Sequence, residues 1–169
     1  NTENLRNLQE KNSLNDLLDE VMTSRENLEN KVPVFLKISP DLTLNQIDDI
    51  SEIALKMQID AIVATNTTVD HQGLQSDVNN KNGGLSGRPL FSKSTWVLAN
   101  LSARLDKKVP LIGVGGIASA EDAYVKLLAG ASAVQLYTGL VYNGMGLVTK
   151  INKGISEMLS KQHKSNLSD

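Results

Sequence analysis

Residues 110–139 read PLIGVGGIASAEDAYVKLLAGASAVQLYTG, from Pro110 to Gly139. Leu111–Val114 has the short apolar run of a buried strand and ends in Gly115-Gly116. Ser119 then precedes a helical stretch from about Ala120 to Ala129, which Gly130 stops. Ala133–Leu136 is a second apolar strand, running into Tyr137-Thr138-Gly139. A strand–helix–strand unit of this kind sets its two strands parallel, and both loops leave the same end of the sheet. Paired glycines let backbone N–H groups approach an anion, and the helix N-terminus behind them adds a favourable dipole. The stretch predicts a phosphate cradle for a nucleotide-like cofactor. Ser119 itself needs no ligand, because it can cap the helix with Asp122 as its reciprocal partner.

The same alternation extends upstream. Asn1 to Glu10 is polar and reads as a loop, and from Ser13 the residues Leu14, Leu17, Leu18, Val21 and Leu28 follow helical spacing. Val34–Ile38 is a short strand. Thr43 and Gln46 then form a capping box, with Leu42 poised to staple onto Ile47, and Ile47, Ile50, Ala54 and Met57 mark the buried face. Ala61–Ala64 is the next strand. A long polar, Asn- and Gly-rich stretch from Asp70 to Gly87 follows, which predicts a loop with a task. Leu98, Leu101 and Leu105 mark another helix. From Gly146 a last amphipathic helix turns Val148, Ile151, Ile155 and Met158 inward and Lys150, Lys153 and Lys161 outward.

Strands alternating with helices predict an α/β fold with a parallel sheet. About four units are present, roughly half of an eight-unit (β/α) barrel, in which phosphate commonly sits after the last two strands beside a short extra helix. A separate small doubly wound domain is the other architecture that fits.

The chain has 169 residues, 40% hydrophobic and 21% charged, with a net charge of −2. That balance gives no electrostatic case for nucleic acid or an acidic membrane surface. Cysteine is absent and the two histidines, His71 and His163, are far apart in polar surroundings, so no metal site is expected. The first residue is Asn1 rather than Met, which predicts a piece of a longer polypeptide.

Three further stretches carry chemistry-bearing residues. In VFLKI, Lys37 shares a face with Phe35, opposite Val34, Leu36 and Ile38. An edge-strand lysine would guard against aggregation, whereas one near the carboxyl end of an interior strand would aim its ammonium into a site mouth. Helical segments on both sides favour the interior reading. Thr65-Asn66-Thr67-Thr68 follows the AIVA strand and fits either a local Asx turn or recognition of a heterocycle edge. Gly83–Leu90 (GGLSGRPL) is flexible by composition and able to approach a cofactor by its backbone.

Taken together and in order, NTENLRNLQ, FLKISPDLT, ATNTTV, GGLSGRPL, IGVGGI and AGASAVQLYTG resemble the C-terminal half of a class 2, quinone-linked dihydroorotate dehydrogenase. The matches run from Asn1 to about Leu159. The resemblance implies the C-terminal part of a single FMN-binding barrel that oxidises dihydroorotate to orotate in pyrimidine biosynthesis and passes electrons to ubiquinone. It implies FMN contacts at Lys37, Thr65, Gly87, Gly116, Tyr137 and Thr138, and orotate contacts at Asn1, Asn66 and Thr67. The family's serine base is expected just before Asn1, with Lys37 in a supporting role, so residues 1–169 alone are expected to be inactive. The remaining barrel half and the membrane-associated helices are also expected outside this sequence. A monomer at the mitochondrial inner membrane is implied, with the cytoplasmic face of a bacterial inner membrane as the alternative. Two other readings stay open: another phosphate-binding (β/α) barrel enzyme, and a non-catalytic FMN-binding piece.

Overall fold

The computed structural model describes residues 5–72, 74 and 83–167. Asn1, and residues 73 and 75–82 of the long polar stretch, lie outside them. The order is α1 (Lys11–Glu26), β1 (Phe35–Ile38), α2 (Leu44–Met57), β2 (Ala61–Ala64), α3 (Phe91–Leu105), β3 (Leu111–Val114), α4 (Ala120–Leu128), β4 (Ala133–Gln135), α5 (Thr138–Asn143) and α6 (Gly146–Lys161). A 3₁₀ turn over Leu5–Gln9 replaces part of the loop expected before α1.

The strands form one parallel sheet in the order β1-β2-β3-β4. Register pairs Lys37 with Val63, Val63 with Ile112, and Ile112 with Ala133. Parallel pairing in chain order places all four carboxyl ends on one side of the molecule. Alternation divides the residues between two faces. Ile38, Ile62, Ala64, Leu111 and Gly113 face a helix layer whose core includes Ile47, Ile50, Val97, Leu98, Leu101 and Leu105. Burying each large aliphatic side chain in that layer is worth about 1.5–3 kcal/mol. The opposite face is open: Phe35, Lys37, Ala133 and Gln135 are exposed on it.

Within the described residues β1 is the first strand of the sheet and pairs on one side, with β2.

The caps follow the sequence closely. Thr43 accepts from the Gln46 N–H at 3.3 Å while Gln46 Oε1 accepts from the Thr43 N–H at 2.9 Å. At α4, Ser119 accepts from the Asp122 N–H at 3.1 Å, but Asp122 takes the N–H of Ala118 at 2.9 Å rather than that of Ser119. The carboxylate is one methylene shorter than the Glu or Gln of a full box. In α6, Leu147 is buried in place of the expected Val148, which is exposed; Ile151 is buried and Ile155 and Met158 half-buried, as expected. Packing against α4 sets the inward face: a Cβ added to Gly154 would collide with Ala120.

Candidate active site at the strand carboxyl ends

Four loops meet where the strands end. The loop after β2 lies between its neighbours: the Thr65 N–H donates to Val114 O at 3.1 Å, and the Asn66 N–H donates to Ile38 O at 2.7 Å. Thr65 is buried and gives its hydroxyl to Asn66 O, while Asn66 itself is exposed. The side-chain oxygen of Asn66 accepts from the Thr67 N–H at 2.9 Å, a bond to the next residue rather than the i+2 bond of an Asx turn. That bond orients the amide and leaves its NH₂ free to face outward.

An acid–base clasp holds this loop. Asp41, just beyond β1, accepts from the Thr68 hydroxyl and from the Val69 N–H (3.0 Å). Lys93, in the first turn of α3, donates to Asp41 at 3.0 Å and to Asp70 at 2.8 Å. Burial works against the charged form of Asp41, yet the Thr68 hydroxyl, the Val69 N–H and Lys93 outweigh it and hold the carboxyl below its usual range. Lys93 is also partly desolvated, and its two carboxylate partners nonetheless keep it above the ordinary lysine range. The clasp joins residues up to 52 positions apart, and sequence reading missed it.

The long stretch after β2 is pinned by an antiparallel bridge between Thr68 and Leu85. Beyond the bridge, Ser86 Oγ accepts from Thr138 Oγ1 at 2.9 Å, and an added Cβ at Gly87 would meet the Thr138 methyl at 3.3 Å. Thr138 and Gly139 do not stay in a loop; they open the short helix α5. A Cβ at Gly139 would strike the carbonyl oxygen of Ile117, so the β3 and β4 loops are in backbone contact.

Gly116 has φ +77° and its back is filled by Phe91, whose Cα and N lie 2.6 and 2.7 Å from where a Cβ would stand. The N–H groups of Gly116 and Ile117 meet no protein acceptor among the described residues. Unsatisfied donors on a tight glycine turn suit an oxyanion. Thr138 offers a hydroxyl beside them.

Lys37 and Tyr137 are exposed, Tyr137 at 83%. The structure thus brings Lys37, Thr65, Asn66, Thr67, Gly87, Gly116, Tyr137 and Thr138 to one end of the sheet. A hollow of ≈ 380 Å³, lined by Lys11, Asn12, Asn15, Asp16, Glu52, Ile53 and Lys56 of α1 and α2, shares none of these residues. Among the described residues no group of three or more His, Cys, Asp or Glu is placed to hold a metal, and no helix is long and apolar enough to cross a membrane.

The sequence profile described as dihydroorotate dehydrogenase matches residues 1–159. The chain belongs to the dihydroorotate dehydrogenase family. It is 53% identical over 159 residues to a dihydroorotate dehydrogenase (quinone) of Cereibacter sphaeroides, covering 94% of this chain and 45% of that protein. A dihydroorotate dehydrogenase (quinone) of Brucella ovis is 47% identical over 174 residues, covering all of this chain and 48% of its own length. The crystal structure of a dihydroorotate dehydrogenase from Eimeria tenella in complex with ferulenol superimposes with a TM-score of 0.94 at 32% identity. It matches 100% of this chain and 50% of that one. The chain thus spans about half the length of the relatives it matches. Its four strand–helix units are part of the family's (β/α)₈ barrel rather than a separate doubly wound domain.

Proposed function

We propose that this chain is the C-terminal part of the FMN-binding barrel of a quinone-linked dihydroorotate dehydrogenase, serving oxidation of dihydroorotate to orotate. The carrying observation is the junction of Gly116, Ile117 and Thr138, where unpaired backbone donors and a hydroxyl converge at the ends of β3 and β4. Those donors fit the terminal phosphate of FMN. When bound, FMN supplies the hydride-accepting chemistry and hands electrons on to ubiquinone. Lys37, on the open face of β1, places positive charge where the cofactor ring gains negative charge. Asn66, braced by Thr67 and held by the Asp41–Lys93 clasp, orients the pyrimidine with its amide NH₂. Thr65 contributes through the backbone, since its hydroxyl is engaged with Asn66 O. Gly87 and Tyr137 line the phosphate side.

Asn1 would contact orotate, and the serine base would come from residues outside this sequence. Membrane association would also come from segments outside it, and a monomer is the simplest assembly. The relatives from Cereibacter and Brucella favour the cytoplasmic face of a bacterial inner membrane over the mitochondrial location first expected. The names of the relatives favour this reading over another phosphate-binding barrel enzyme.

The test is the absorbance of the purified intact polypeptide. Bound flavin should appear and should bleach on addition of dihydroorotate without oxygen. Colourless protein that refuses added FMN would remove the reading.

A further inference from the structure

Lys126 is a lysine where a helix should carry an apolar residue. It stands on the inner face of α4, beside Ala123, and is 0% exposed. Its stem crosses β3 at Gly113: a Cβ added there would lie 3.2 Å from Lys126 Cβ. Gly113 thus leaves the channel through which the side chain reaches the carboxyl end of β3. There Nζ donates to Ser94 Oγ at 2.6 Å, lies 3.5 Å from Phe91 O, and stands 5.0 Å from the centre of the Phe91 ring. Ser94 Oγ is in turn 3.2 Å from Gly115 O, and Phe91 is the residue that fills the space behind Gly116.

Every one of these partners is neutral. No carboxylate forms an ion pair with Nζ among the described residues. Burial pushes the ammonium down to about 8, with the more distant Asp122 opposing it, so the group still bears its charge at neutral pH. A buried cation without a counter-ion costs several kcal/mol, and a methionine of similar length would fill the same channel without that cost. The missing negative charge is what an anion seated on the turn in front of it would supply.

We propose that Lys126 is a buried positioning residue that provides the counter-charge for a phosphate dianion seated on Gly116 and Ile117, acting through Ser94 and Phe91 without touching the ligand. This rests on the phosphate reading of that turn. In a low-dielectric setting a charge behind the backbone strengthens anion binding without contact. It should discriminate by ligand charge and leave ring recognition alone.

The experiment compares FMN with riboflavin, which lacks the phosphate, by fluorescence titration of the intact apo-polypeptide. Lys126→Met should weaken FMN about tenfold or more while riboflavin changes less than about twofold. Equal weakening of both ligands would make Lys126 a core-packing residue, and an unchanged FMN preference would remove its electrostatic role; either result overturns the proposal. If the unsubstituted protein itself binds riboflavin as tightly as FMN, the phosphate reading of the turn fails first. Should Lys126→Met not fold, Ser94→Ala decides by the same criteria, since it breaks the link between Nζ and Gly115. Its expected loss is smaller, about threefold for FMN and none for riboflavin.

Discussion

Thr138 Oγ1 donates to Ser86 Oγ at 2.9 Å, tying the segment after β4 to the segment after β2 across the end of β3. Those two strands are not neighbours in the sheet. The bond therefore closes an arch over the Gly115–Gly116 turn, with Gly87 against the Thr138 methyl.

Thr138→Val keeps the methyl contact and removes the hydroxyl. The expected result is a stability loss of about 0.5–1.5 kcal/mol together with FMN binding weakened several-fold. Ser86→Ala removes the tie and leaves Thr138 free, so it should share the stability loss and spare most of the affinity. Denaturant titration and flavin titration of the pair separate the two effects. Identical behaviour in both assays would assign Thr138 to loop architecture only.

Gly116→Ala should hurt folding and flavin binding together. The space a side chain at Gly116 would enter is taken by Phe91, and φ is +77°. The expected loss is about 2 kcal/mol or more, from strain plus displacement of the start of α3. Gly144→Ala is the control: φ is +71° and ψ 174°, a conformation essentially restricted to glycine, with nothing within 4 Å, so backbone strain of about 1–3 kcal/mol applies without any packing clash. Equal losses at the two positions would mean that Phe91 yields freely.

Asp41→Asn should loosen the loop bearing Asn66. Asp41 is held below its ordinary value of 3.8, so its contribution is complete above that value and disappears as pH falls through the lower folded-state value. The variant should lose about 1–2 kcal/mol at pH 7 and lose the part of the acid-side stability decline that Asp41 causes. KM for dihydroorotate should rise more than kcat falls. Melting curves between pH 2.5 and 7, set beside steady-state kinetics of the intact enzyme, check both (a pH range of about this width brackets an aspartate). Parallel acid-side slopes in the two proteins would contradict the prediction.

Lys37→Ala should slow flavin reduction in the intact enzyme by about 10²-fold, the usual scale for losing one charge-stabilising donor. Lys161→Ala, at the exposed end of α6, should leave the rate unchanged. Stopped-flow bleaching with dihydroorotate reads this directly. Matching rates would reduce Lys37 to a residue that protects a sheet edge.

What was legible in the sequence was whatever local pattern decides. β2 and β3 coincide with the apolar runs Ala61–Ala64 and Leu111–Val114, and β1 and β4 differ from theirs by one terminal residue. The Thr43–Gln46 box formed as its spacing required. What escaped was what distant segments decide. Lys126 looks like an ordinary outward lysine until Gly113, thirteen positions earlier, is known to lie beneath it. Asp41 and Lys93 meet only because β1 and α3 end on the same side. Leu147 displaced Val148 because the turn of α6 answers to Ala120. Thr138 entered a helix because the glycine after it can lie against Ile117 O.

The in-order sheet also acts as a ruler. Lys37 belongs to its first strand and Thr138 follows its fourth, three interstrand steps of about 4.8 Å each, or about 14 Å measured along the sheet. On the proposed phosphate reading, a ligand anchored at the β3–β4 end must pass β2 to reach Lys37. A ligand engaging both would need to lie across the sheet, so molecular length would become a selection criterion fixed by the backbone, before any side chain has discriminated.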